Sequence, residues 1–272
     1  MPANSCNSHM RALEFIVLPY ALSGFGVGFV VGLTGVGGGS LMTPLLGLFF
    51  GFHPATAVGT DLLYASVTKT CGTAVHHIGH TVEWQVVAWL AAGSLPASLL
   101  TLPLISRQLH SSSAVATLIS YVLGYALLLS ALSLLLRRRI LALAHVLSLH
   151  RRPRREAAAT VLLGALLGVL VSLSSVGAGA IGVTMLVLLY PHLPIARIVG
   201  TDIAHAVPLT LVAGLGHLAV GTVDVSLLAS LLIGSLPGIA LGSVIASRAP
   251  ERAVRLLLAG VLTLVGIRLV AP

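Results

Sequence analysis

Apolar residues run through this chain in long unbroken stretches, interrupted at short intervals by glycine, histidine or arginine. Five stretches fill the first half, at about Leu13–Leu33, Leu41–Phe52, Gly59–His77, Trp84–Ile105 and Ala114–Leu136. Five more fill the second, at about Ala157–Leu173, Ile181–Tyr190, Gly200–Leu218, Val225–Ala246 and Ala253–Val270. They lack the apolar-polar alternation of membrane β-barrel strands, so the pattern predicts helices. Most are long enough for a helix rising about 1.5 Å per residue to cross about 30 Å of hydrocarbon. The second stretch of each half is too short for that, and reads as a half-helix or re-entrant arm.

The two halves repeat one another. At an offset of 140 residues, Gly24, Gly28, Gly37, Gly39 and Pro54 fall on Gly164, Gly168, Gly177, Gly179 and Pro194. At an offset of 141, Val58-Gly59-Thr60-Asp61 falls on Val199-Gly200-Thr201-Asp202, His76 on His217 and Glu83 on Asp224. The same offset carries Gly93-Ser94-Leu95-Pro96 onto Gly234-Ser235-Leu236-Pro237 and Arg107 onto Arg248. Gly24/Gly28 and Gly164/Gly168 have the small-xxx-small spacing that lets helices approach closely. On that packing role, Gly24→Ala is expected to be mild.

Composition agrees with a membrane protein, since 57% of the residues are hydrophobic and 8% charged, against about 25% charged in a soluble domain. The formal charge is +8, yet the arginines cluster between the apolar stretches, so they read as topology signals and no nucleic-acid partner is expected. Arg137-Arg138-Arg139 and Arg151-Arg152-Pro153-Arg154-Arg155 put seven arginines between the halves, which the positive-inside rule assigns to the cytoplasm. With an odd number of crossings per half, Arg197, Arg248, Arg252 and Arg255 join them, the halves are inverted and both termini lie outside. Cys6 in a polar tail and Cys71 in an apolar run imply no disulfide framework.

The expected architecture is an all-α integral membrane protein. Two inverted repeats of about five hydrophobic segments each carry short or re-entrant helices after glycine-rich turns. Residues 1–12 form a polar tail, 13–136 the first repeat, 137–156 an arginine-rich cytoplasmic linker and 157–272 the second repeat.

Two features could carry chemistry. The first is the glycine cluster Thr34-Gly35-Val36-Gly37-Gly38-Gly39-Ser40, with its copy Ser174-Ser175-Val176-Gly177-Ala178-Gly179-Ala180. Glycine leaves N–H groups accessible at close range, and the short helix that follows adds the positive end of its dipole, an arrangement suited to a small oxyanion. Thr34, Gly37, Gly38, Gly39, Ser40, Ser174, Ser175, Gly177 and Gly179 are therefore candidate substrate ligands. In inverted halves the two turns would face each other near the midplane. A tight interhelical turn is the structural alternative.

The second feature is the third stretch of each half. Asp61 and Asp202 are equivalent, and ionisable residues inside a membrane are functional candidates. At about 100° per residue, His76 lies about 60° and Lys69 about 80° from Asp61 on one side of the helix, while His205 and His217 flank Asp202 at about 60° each. Lys69 is a candidate anion ligand, with snorkelling to the surface as its alternative. Asp61, Asp202, His76, His205 and His217 are candidate proton carriers, histidine needing the smallest change to titrate near neutral pH. Gly59-Thr60-Asp61 also reads as a helix start with Thr60 or Asp61 as cap, and Glu83 and Asp224 as first-turn partners of a helix dipole. His76, His77 and His80 lack a cysteine or second carboxylate at ligand spacing, so neither metal nor cofactor is expected.

With Gly32-Leu33-Thr34-Gly35-Val36-Gly37-Gly38-Gly39-Ser40, the following Pro44, Ala57-Val58-Gly59-Thr60-Asp61 and weaker copies at Val176–Gly179 and Val199–Asp202, the chain resembles the sulfite exporter TauE/SafE family over nearly all its length beyond residue 10. The resemblance implies a multi-pass permease of the bacterial inner membrane, without enzymatic activity. Its substrates would be sulfur-containing anions such as sulfite or organosulfonates, its partners the lipid bilayer and a coupling proton. A passive anion channel and a membrane enzyme acting on a small or lipid substrate are the rival readings. If the turns are the site, Gly38→Leu fills it and abolishes transport.

Overall fold

The computed structural model describes residues 17–34, 39–109, 113–147, 153–177, 179–246 and 251–271. Among the described residues the chain is helical throughout. In order the helices are α1 Leu18–Thr34, α2 Gly39–Leu48, α3 Pro54–Ile78, α4 Trp84–Leu109, α5 Ser113–Leu147, α6 Pro153–Ser174, α7 Ala180–Leu189, α8 Ile195–Ala219, α9 Val225–Ala246 and α10 Glu251–Val270. The five described helices of each half thus match one for one. Five contain a stretch long and apolar enough to cross a membrane: Trp84–Pro103, Thr117–Arg137, Glu156–Ser174, Ile195–Ala219 and Val225–Ile245. Large side chains such as Leu100, Val244 and Leu162 stand exposed on these spans, as expected where the surrounding solvent is lipid.

Each half is completed by the other. Helix α1 packs on α9, and its repeat counterpart α6 packs on α4, the counterpart of α9. The equivalent helices α3 and α8 pack on each other, as do α5 and α10. Glycine makes these approaches possible. A Cβ at Gly24 would strike the Leu231 carbonyl and one at Gly234 the Ala21 carbonyl. In the other half a Cβ at Gly164 would strike the Leu90 carbonyl and one at Gly93 the Val161 carbonyl. These are the same two contacts moved by the repeat offset. Helices α3 and α8 run antiparallel, since Gly72 faces Ile203 while Gly214 faces Leu63. Between them, Val58, Leu62, Ala206, Leu209 and Ala213 join Val171 of α6 and Ile119 of α5 in a central buried cluster.

Two sequence expectations are corrected here. Helices α3 and α8 start five residues before Gly59 and Gly200, at Pro54 and Ile195, because proline is pre-set for a first turn or cap and the intervening residues are good enough helix formers to follow it. Asp61 and Asp202 therefore sit inside helices rather than at their caps. The Thr60 and Thr201 hydroxyls instead accept the backbone N–H of Asp224 (3.2 Å) and Glu83 (2.9 Å), tying each half to the loop of the other. Of the two acids read as dipole partners, Asp224 does cap α9, accepting the Leu227 N–H at 2.9 Å. Glu83, next to the first residue of α4, also reaches Arg197 across the repeats at 3.3 Å.

Candidate functional site

A cavity of about 380 Å³ opens between α3, α5, α7 and α8. Lys69, His76, Arg137, Thr184 and Asp202 supply its polar wall. Val183, Val187, Ile195, Val199 and Ile203 supply an apolar one. The floor is the glycine turn that leads into α7, where Gly179 and Ala180 meet the cavity. This turn needs its glycines, for Gly177 (φ 132°) and Gly179 (φ 134°) take backbone angles that glycine alone adopts without strain, and Ser175 beside them is left-handed (φ 56°).

Asp202 is almost fully buried at 1% exposure and lies directly on the first turn of α7. A Cβ at Gly182 would collide with its Oδ1, and that oxygen has no hydrogen-bond partner. The N-terminal end of α7, where the sequence suggested an external anion, is thus approached by the protein's own carboxylate. Its repeat counterpart Asp61 is as deeply buried but differently held. The Thr43 hydroxyl of α2 donates to Asp61 Oδ2 at 2.5 Å, while Asp61 Oδ1 has no partner and Ser175 of the second glycine turn adjoins it. The position equivalent to Thr43 is Val183, which offers no hydroxyl.

Lys69 is buried (6% exposed) and within electrostatic reach of Asp202 and Asp61. Its repeat counterpart is Thr210, whose hydroxyl turns back to its own helix at Ala206 O. Lys69 therefore stands within reach of both related carboxylates, without a charged counterpart in the second half. Burial of this kind sets aside the snorkelling alternative, which requires the ammonium to reach water.

The histidines divide by environment. His205 is fully buried with Nε2 2.8 Å from Ser94 Oγ and Nδ1 without a partner. His217 is clamped, Nε2 meeting the Ser172 carbonyl at 3.0 Å and Nδ1 meeting Thr222 Oγ1 at 2.9 Å. Because a carbonyl only accepts, Nε2 is the protonated nitrogen of that ring. The counterpart His76 keeps the matching contact to Thr81 at 2.8 Å but lines the open cavity.

Among the candidate ligands, Gly37 and Gly38 lie outside the described residues, as do the side chains of Thr34 and Ser40. Gly39 opens α2. Ser174 spends its hydroxyl on its own turn, bonding Leu170 O at 2.7 Å. Gly177 turns toward Leu170 rather than the cavity. Gly179 reaches the cavity, where the fold brings it to Lys69, Asp202 and His76.

Sequence reasoning passed over Thr43, Ser94, Gly182 and Arg137. Ser94 stood in a duplicated Gly-Ser-Leu-Pro motif, which was signal enough. Arg137 was taken for a loop charge because the apolar stretch ends at Leu136. Helix α5 continues to Leu147, and the helix-forming Ile140-Leu141-Ala142-Leu143-Ala144 was the available sign.

The chain matches the family described as Sulfite exporter TauE/SafE over residues 20–269. It is 37% identical over 257 residues to the "probable membrane transporter protein YjnA" of Bacillus subtilis (strain 168), covering 92% of this chain and 98% of that protein. It is also 27% identical over 232 residues to the "probable membrane transporter protein YdhB" of the same organism, covering 84% of this chain and 89% of that protein. No solved structure matches the chain at a significant level.

Proposed function

The chain belongs to the sulfite exporter TauE/SafE family, a family of multi-pass integral membrane transporters, and from that premise we propose a proton-coupled secondary carrier of small sulfur-containing anions. The observation that carries this reading is the cavity in which a buried lysine, Lys69, stands beside a buried carboxylate, Asp202, on a glycine turn. Lysine supplies the only fully positive group among the buried charges that line it, and a charge kept at membrane depth without function is costly. Asp202 is the proton-carrying partner. At about 380 Å³ the cavity has the size of a small-ligand site rather than of a few waters. Its apolar wall suits the body of an organosulfonate as well as bare sulfite. The repeats lie inverted in the bilayer, which agrees with the antiparallel meeting of α3 and α8, and Arg137 marks the cytoplasmic side of the cavity.

Uptake of sulfite, sulfate, thiosulfate, taurine and an aryl sulfonate into proteoliposomes, with and without an imposed pH gradient, tests the proposal. Saturable movement of a sulfur oxyanion that follows the gradient is the expected result. Movement indifferent to any driving ion would favour a passive channel, and no movement of any anion would refute the substrate class.

A further inference from the structure

From the way the two repeat-related aspartates are held, we infer that they have different tasks: Asp202 is the exchangeable proton site that admits the anion, and Asp61 is a fixed counter-charge to Lys69. This rests on the carrier reading above and deepens it by assigning the coupling to one residue.

The repeat symmetry is broken at these two positions. The two aspartates share a helix position, a neighbouring threonine and an equivalent loop contact. They differ in what faces them. Asp61 accepts the Thr43 hydroxyl at 2.5 Å, and the cavity is not lined by it. Asp202 meets Gly182, has valine (Val183) at the position that Thr43 holds in the other half, keeps Oδ1 unbonded, and lines the cavity. A proton can reach Asp202 through that space, whereas Asp61 is held by Thr43 and does not line it.

Charge balance then links the proton to the anion. The groups facing Asp202 are Lys69 and His76 from α3, Arg137 from α5 and His205 one turn along α8, while Gly179–Val187 of α7 carry no titratable side chain. Lys69 lies within reach of both aspartates. An anion entering the cavity must share Lys69 and the α7 terminus with the Asp202 carboxylate, and two anions at one low-dielectric spot repel strongly. The anion therefore fits when Asp202 holds a proton, and each anion brings one proton with it. Asp61, bound by Thr43 and within reach of Lys69, is the counter-charge that keeps Lys69 balanced when Asp202 is neutral.

Asp202→Asn and Asp61→Asn, compared with wild type in nanodiscs, separate the two tasks. Infrared difference spectra across a pH titration without added anion read protonated carboxyl groups directly. The titrating carboxyl band of wild type is expected to lose one component in Asp202→Asn and none in Asp61→Asn; loss of a component from Asp61→Asn instead, or from neither variant, overturns the assignment. Calorimetry with sulfite in buffers of different ionisation enthalpy adds the coupling. About one proton taken up per sulfite by wild type and by Asp61→Asn, and none by Asp202→Asn, is the expected pattern, and equal uptake by all three overturns it. Failure of sulfite to bind any of them would count against the substrate class, while the infrared result still decides between the aspartates. Each variant is isosteric, and elution as a single species in size-exclusion chromatography confirms that it has folded.

Discussion

Replacing Gly24 by alanine should separate α1 from α9. The added Cβ would strike the Leu231 carbonyl oxygen and come within 2.9 Å of its Cα and 3.0 Å of its carbonyl carbon. These are backbone atoms, which no rotamer change can move, so the helices must part. Gly28 and Gly32 on α1 and Gly234, Gly238 and Gly242 on α9 make comparable contacts, and all loosen together. With about five atom pairs at each of the six contacts, each pair worth about 0.15 kcal/mol, a gap of about 0.5–1 Å forfeits a quarter to a half of the attraction, or about 1–2 kcal/mol. That lies inside the usual cost of overpacking, about 1–3 kcal/mol, and corresponds to a Tm lower by roughly 2–8 °C. Gly26→Ala is the control, because nothing lies within 4 Å of its added Cβ. It should change stability by less than about 0.5 kcal/mol. The assay is a thermal melt of the purified protein in nanodiscs, followed by the fraction eluting intact. A Gly24→Ala protein as stable as Gly26→Ala would refute the reasoning, and so would a stable Gly164→Ala, since Gly164 makes the same contact in the other half. The sequence spacing alone suggested a mild effect for Gly24; the backbone contact is what raises it.

Two further substitutions probe the aspartates through their neighbours. Thr43→Val keeps the shape of the side chain but removes the hydroxyl bound to Asp61 Oδ2, leaving a buried carboxylate without that donor at a cost of about 1–3 kcal/mol; Thr43→Ser should restore stability in the same melt, and a Val variant equal to wild type would refute the role. Gly182→Ala drives its Cβ into Asp202 Oδ1, the mobile end of a side chain rather than backbone, so the protein should stay folded while anion uptake falls about tenfold, a loss of about 1.4 kcal/mol in transition-state or binding terms. Uptake equal to wild type would mean that the seat of Asp202 on α7 does not matter.

Much of this was legible in the chain itself. The ten helices of the described residues follow the ten apolar stretches because hydrocarbon leaves a backbone no partner but itself, so an apolar run of sufficient length can only be a helix. The duplication was legible because equal positions kept equal residues, and the structure repays it contact for contact, with His76–Thr81 matched by His217–Thr222. Even the glycine turn before α7 could be foreseen, since its backbone angles exclude most other side chains. Proline at Pro54 and Pro194 was visible too, but its helix-starting role was outweighed by the more conspicuous Gly-Thr-Asp.

What the tertiary structure alone decided is how the copies differ. Sequence treats Asp61 and Asp202 as equals, because the repeat places them at one position. Their surroundings come from other helices: Thr43 and Val183 lie about twenty residues away along the chain, Lys69 is far from Asp202, and Arg137 enters the cavity only because α5 runs past its apolar stretch. The charge on a buried carboxylate depends on what stands within a few ångströms of it, and local pattern carries no information about neighbours brought in from other helices. The apolar runs settled that these segments are helices and roughly where they lie, and packing settled their true ends and which of two identical-looking acids meets the cavity.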